Sequence, residues 1–152
     1  MPIRIPLFKG LLGYRVSLIH KSNYEKFVGI GKKELQALIA CQGQHWPDSD
    51  ILEDNQFQVA RVVRFDSMFK MLNQGRCDYF PRSIFEGYAE LLSAQQLYPD
   101  LMMFDEVILQ YDFPMYYFVN QPVFKRFFGR KPIIPIKRFF YFFLAFSRMF
   151  GI

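Results

Sequence analysis

Arg82 and Ser83 follow a short apolar run and precede a stretch with helical periodicity. A guanidinium at such a junction can hold a carboxylate through two parallel N–H donors, helped by free backbone N–H groups at the helix start. The competing use of Arg82 is a surface pair with Glu86. Ser83 is expected first as a helix cap and second as a ligand contact. A similar junction is Gln42-Gly43-Gln44-His45-Trp46-Pro47-Asp48, with Ile51 and Leu52 beyond. There Gln44 and His45 can donate hydrogen bonds to an anionic group, or simply stand in solvent. Trp46 can cover an apolar or cationic part of a ligand, or anchor the loop beside Pro47. Asp78 can receive an ammonium group but is expected chiefly to fix a loop. Asp48 is expected chiefly to start a helix. The candidate ligand-binding residues are therefore Gln44, His45, Trp46, Asp78, Arg82 and Ser83. They point to holding a small polar ligand rather than transforming it.

No spacing places a Ser-His-Asp or Cys-His set, and no carboxylate pair stands out as acid and base. No catalytic residue and no cofactor is assigned. His45 has no second His or Cys near it in sequence, so no metal site is expected. Gly29-Ile30-Gly31 lacks the third glycine and the Gly-Lys-Ser/Thr ending of a phosphate-binding loop. The two cysteines, Cys41 and Cys77, form no Cys-x-x-Cys pair. Buried free thiols are the expected state, because free Cys packs as a small core residue; a disulfide is the alternative.

The elements that must position these residues alternate. Residues 1–13 are rich in Pro and Gly and read as extended. Tyr14 to His20 reads as a strand. Lys32 to Ala40 has Leu35, Leu38 and Ile39 on one helical face. Pro47 and Asp48 open a short helix, in which Asp50 and Glu53 have capping-box spacing. Phe57 to Val63 is a second strand. Asp66 is the expected cap of a helix buried through Met68, Phe69, Met71 and Leu72, and Gly75 ends it. Cys77 to Pro81 is a third strand. Ser83 and Glu86 form a Ser-x-x-Glu capping box. The next helix is expected to be buried through Ile84, Tyr88, Leu91 and Leu92. Glu106 to Tyr111 and Met115 to Val119 are two further strands, separated by Asp112-Phe113-Pro114. This alternation predicts an α/β layer structure on a largely parallel sheet. Right-handed crossovers then bring both junctions to one carboxyl edge.

A length of 152 residues with 51% hydrophobic content suits one domain or one lobe of a larger protein. The net charge of +5 is unevenly placed. Residues 121–152 hold seven of the 19 basic residues and no acid, so the first 120 carry 12 basic against all 14 acidic groups. The body is mildly acidic, which does not favour nucleic acid as a partner. The opening Met-Pro-Ile-Arg-Ile-Pro-Leu shows no signal peptide. The longest apolar run, Phe139 to Phe146, is eight residues, far short of the roughly 20 needed to cross a bilayer.

Four ordered motifs resemble bacterial extracellular solute-binding proteins, type II, polar-amino-acid-like. They are Arg4-Ile5-Pro6-Leu7-Phe8-Lys9-Gly10-Leu11-Leu12-Gly13-Tyr14-Arg15; Gly43 to Asp48 with Ile51-Leu52; Phe69, Met71, Leu72, Gly75, Arg76 and Asp78 to Arg82; and Phe118-Val119-Asn120. The resemblance implies a clamshell of two α/β lobes joined by two crossing strands, with an amino-acid-like solute held between them. It implies that this chain is the second lobe. Residues 1–13 would form a hinge segment, 14–114 the solute-binding lobe, 115–120 the return hinge strand and 121–152 an off-pattern basic, Phe-rich tail. The first lobe has no counterpart before Met1, so a truncated and weakly binding protein is expected. The implied location is periplasmic or extracellular, and the implied partner is a membrane transporter or a sensor. Two competing readings are a membrane-surface or interaction role for the tail, through Phe139 to Phe146 beside Lys137, Arg138 and Arg148, and an enzyme on the same fold, which only fold analogy supports.

Overall fold

The strands that end in the two junctions lie side by side. In the computed structural model, which describes residues 7–116, five strands form one sheet: β1 (Tyr14–His20), β2 (Ile39–Gly43), β3 (Gln58–Val62), β4 (Tyr79–Ser83) and β5 (Leu101–Gln110). Their order is β3-β2-β4-β1-β5. The helices are α1 (Tyr24–Phe27), α2 (Lys32–Ala37), α3 (Pro47–Asp54), α4 (Phe65–Asn73) and α5 (Gly87–Gln95). The sheet is mixed, which corrects the largely parallel expectation. β2 runs parallel to β3 and β4, but β1 is antiparallel to both β4 and β5. The chain thus enters β1 and leaves β5 at the edge where β2, β3 and β4 end.

Adjacent residues of the inner strands feed two different cores, because strand side chains alternate between faces. Leu18, Cys41, Phe80 and Leu101 join Met68, Phe69 and Leu72 of α4 and Leu91 and Ala94 of α5. Ile19, Ala40, Tyr79 and Phe104 join Phe27 of α1, Leu35 of α2 and Leu52 of α3. Helices therefore cover both faces. This is why β1, β2 and β4 are buried along nearly their whole length rather than at alternate residues.

Several boundaries differ from the sequence reading. The helix expected over residues 32–40 stops at Ala37. Leu38 is already extended, and Ile39 opens β2, where flanking strands on both sides reward pairing more than helical propensity does. β4 begins at Tyr79, two residues later than expected, and β5 begins five residues earlier. Phe8–Gly13 folds into 3-10 turns instead of an extended segment. Pro47 occupies the first helical turn of α3, and no side chain caps that helix. Asp50 and Glu53 bind Arg61 instead of forming a capping box. Asp66 lies in the first turn of α4 rather than capping it, still well placed against the helix dipole. The Ser83–Glu86 box does not form either: Ser83 ends β4 and α5 starts at Gly87. That later start turns Gly87, Leu91 and Ala94 inward and leaves Tyr88 and Leu92 exposed.

The stop at Gly75 holds. Gly75 has φ 67°, its N–H donates to the Leu72 carbonyl, and the Arg76 N–H donates to the Met71 carbonyl. That is a Schellman ending, which needs a residue that tolerates left-handed φ. Cys41 and Cys77 are not free thiols. They form a disulfide with Cα atoms 5.7 Å apart, buried between α4 and the sheet. Folding brings the two together across 36 residues of sequence, a proximity that spacing alone does not reveal. Of the expected strand Met115 to Val119, Met115 makes a bridge with Leu7. Residues 117–119, the Arg4-Ile5-Pro6 and Phe118-Val119-Asn120 motifs and the 121–152 tail lie outside the described residues.

Candidate functional site

The connections from β2 and β4 leave in opposite directions. From β2 the chain crosses to β3 on one side; from β4 it passes through α5 to β5 on the other. Between the carboxyl ends of two such strands an α/β sheet opens a crevice. Gln44, His45 and Trp46 follow β2, while Arg82 and Ser83 close β4, so five of the six candidate residues lie along this edge. Asp78 does not. It stands at the opposite end of the sheet, where its Oδ2 accepts the Ile39 N–H at 2.9 Å and Lys26 lies 3.8 Å away. That is the loop-fixing use expected for it.

The loop after β2 is tightly built. The Trp46 indole lies flat on Gly43, where a Cβ would overlap the ring. The Ser49 hydroxyl donates to the Gly43 carbonyl at 2.7 Å, and the Ser49 N–H donates to the Trp46 carbonyl at 3.0 Å. The Gln44 N–H donates to the Val62 carbonyl at 2.9 Å, and the Gln44 carbonyl accepts from Arg61 Nη1 at 2.8 Å. The side chains of Gln44 and His45 project from this fixed backbone into solvent. Trp46 is half-buried against Phe65 and Phe80.

Arg82 is buried and already holds carboxylates of its own chain. Glu90 binds it side-on, Oε2 to Nε and Oε1 to Nη2, both at 2.6 Å; Glu86 accepts from Nη2 at 2.9 Å. The guanidinium also sits 5.0 Å from the Trp46 ring centroid and 5.3 Å from that of Phe80. Burial by itself would lower its pKa. The Glu90 bonds, with the charges of Glu90, Glu86 and Asp48, more than offset this and raise it above the ordinary arginine value. Bidentate carboxylate binding is thus realised inside the protein. Glu86, the more exposed partner, is the one a solute group could compete with. Ser83 is fully buried and its Oγ accepts the Phe85 N–H at 3.3 Å, so it shapes the turn.

A further cluster escaped the sequence reading. Arg15, Asp48 and Tyr111 bond to one another beside the crevice. Arg15 was legible as an anomaly: a charge inside an apolar strand needs a buried partner. Burial, followed by the Asp48 charge, raises the Tyr111 phenol above its ordinary pKa, against a smaller lowering effect of Arg15. Among the described residues no cluster of His, Cys, Asp and Glu could hold a metal ion, and no helix is long and apolar enough to cross a membrane.

No family model matches the sequence, and a search of curated proteins finds no match. Solved structures do match by fold. An ancestral arginine-binding protein bound to glutamine is 11% identical with a TM-score of 0.50, over 77% of this chain and 60% of that one. Domain 2 of TmArgBP is 18% identical with a TM-score of 0.48, over 61% of this chain and 96% of that one. Holo ArgBP from T. maritima is 20% identical with a TM-score of 0.46, over 71% of this chain and 45% of that one. The chain spans about half the length of most of the T. maritima proteins it matches. Its fold is that of a lobe domain of a periplasmic-type solute-binding protein.

Proposed function

We propose that this chain carries one lobe of an extracytoplasmic solute-binding protein and binds a small polar solute, such as an amino acid, without transforming it. The observation that carries this reading is the switch point itself. The carboxyl ends of β2 and β4 lie side by side and their connections diverge; the reading takes Gln44, His45, Trp46 and Arg82 as the lining of the crevice that such a divergence opens. Structural neighbours include arginine-binding proteins, one bound to arginine and one to glutamine. The Cys41–Cys77 disulfide fits an oxidising compartment. A single lobe offers one wall of a cleft, so its own affinity is expected to be millimolar. The closed complex would serve a membrane transporter or a sensor.

Trp46 is the single tryptophan of the chain and stands at the proposed site. Titration with arginine, glutamine and a panel of other amino acids is expected to change its emission and to shift the amides of Gln44, His45 and Ser83. Unmoved amides at solubility-limited concentrations of every panel member would overturn solute binding. Submillimolar binding would overturn the one-wall argument.

A further inference from the structure

We propose that Arg15, Asp48 and Tyr111 form a lock coupling the chain segments that enter and leave the sheet to the Gln44–Trp46 loop. Arg15 is the second residue of β1, Asp48 lies in the first turn of α3, and Tyr111 follows the last residue of β5. Arg15 Nη2 lies 2.7 Å from Asp48 Oδ1, and Arg15 Nε donates to the Tyr111 hydroxyl at 2.9 Å. That hydroxyl donates to the same Asp48 oxygen. A phenol has one proton to give and Nε has one, so the direction of each bond is fixed. The Arg15 guanidinium also lies 4.9 Å from the Phe113 ring centroid, which holds it from the exit side.

The lock joins two separate assemblies. The Leu7 N–H donates to the Met115 carbonyl at 2.7 Å, and the Tyr111 N–H donates to the Gly13 carbonyl at 3.2 Å. The entering and leaving segments therefore run as a pair. Asp48 is two residues beyond Trp46, and Ser49 ties that loop to Gly43. Little slack is left between Asp48 and the end of β2. A displacement of the paired segments draws the Tyr111 hydroxyl from Asp48, and the buried carboxylate must follow or lose a partner that water does not replace. Arg15, Asp48 and Tyr111 are positioning residues: they act on the crevice through the loop. The coupling needs no solute, so it stands or falls separately from the solute-binding reading.

The test is amide hydrogen exchange and Trp46 emission of the whole chain, Tyr111→Phe against Tyr24→Phe. Tyr24 also donates to a carboxylate, Glu106 at 3.0 Å, in an exposed position. Tyr111→Phe is expected to speed exchange across residues 44–49 by about tenfold, the scale of one lost buried hydrogen bond. It is also expected to shift Trp46 emission, with the β4 amides unchanged. Tyr24→Phe should move neither. Unchanged exchange at 44–49 would overturn the proposal, and so would a uniform rise across the sheet. Should Tyr111→Phe not fold, native-state exchange of the unmodified chain decides. Amides at 44–49 and 111–113 opening with one free energy and one denaturant slope would support the lock; separate openings would overturn it.

Discussion

Helix α3 carries two arginine–carboxylate clusters of similar geometry and opposite character. In one, Asp48 meets Arg15 at 2.7 Å. In the other, Asp50 and Glu53 meet Arg61 at 2.5 and 2.7 Å. Bond length does not distinguish them. Exposure does: the side chains of Arg15 and Asp48 are 4% and 7% exposed, against 32% for Arg61 and 70% for Asp50. Around Arg61, water replaces a lost partner and salt screens the charge. Around Arg15 neither happens, so each member depends on the others. The lesson is that burial, more than distance, decides which ion pair organises the molecule. Arg82 lies between these cases, buried itself and held by the half-buried Glu90 and the exposed Glu86.

The sharpest break of this comparison is Asp48→Ala. It strands Arg15 and is expected to lower unfolding stability by about 3–5 kcal/mol in urea titrations. A loss below about 1 kcal/mol, the ceiling for an exposed pair, would erase the distinction. Replacing Cys41 and Cys77 together by Ser is expected to cost about 3 kcal/mol by releasing the unfolded chain, leaving the amide pattern of the sheet in place. Glu90→Gln, which removes the charge from the side-on pair, is expected to cost about 2 kcal/mol in the same titration.

Alkaline pH offers a gentler probe. Burial first, then the charges of Asp48 and Asp78, raises the phenol pKa values of Tyr111 and Tyr79 in the folded protein. Above about pH 10 the unfolded chain loses phenolic protons that the folded chain keeps, so stability falls as pH rises from there toward the higher folded values. Thermal midpoints measured across that window should fall less steeply in Tyr111→Phe. The smallest effect belongs to the exposed cluster: Arg61→Ala is expected to leave the unfolding midpoint unmoved at physiological salt. A clear drop there would mean that geometry outranks burial after all.

Much of the frame was legible because its causes are local. Gly75 marked a helix end through its backbone freedom. Tyr14 to His20 announced β1 through β-branched and aromatic residues. Pro47 marked the junction after β2, whereas the spacing beyond Ser83 announced a helix but misplaced its start and its buried face. The site was less legible. Arg82 was chosen to hold a ligand carboxylate; the carboxylates it holds are Glu90, bidentately, and Glu86 of its own chain. Choosing among the acids within reach required knowing where α5 starts. Asp78 shared a motif with Arg82 but not an edge, because β4 runs the full width of the sheet between them. Tyr111 gave no signal: its partners lie 63 and 96 residues away in the chain.

By itself, the sequence determined roughly where most strands and helices would lie and that the chain would turn at Gly75 and before Pro47, since φ/ψ preference and apolar spacing act within a few residues. Only the tertiary structure decided that β1 runs antiparallel to β4, that Cys41 meets Cys77, that Arg82 holds Glu90 and that Arg15, Asp48 and Tyr111 bond together. Each of these depends on which distant segments topology makes neighbours. Each is then fixed by burial, which forces paired partners on any charge or hydroxyl taken out of water.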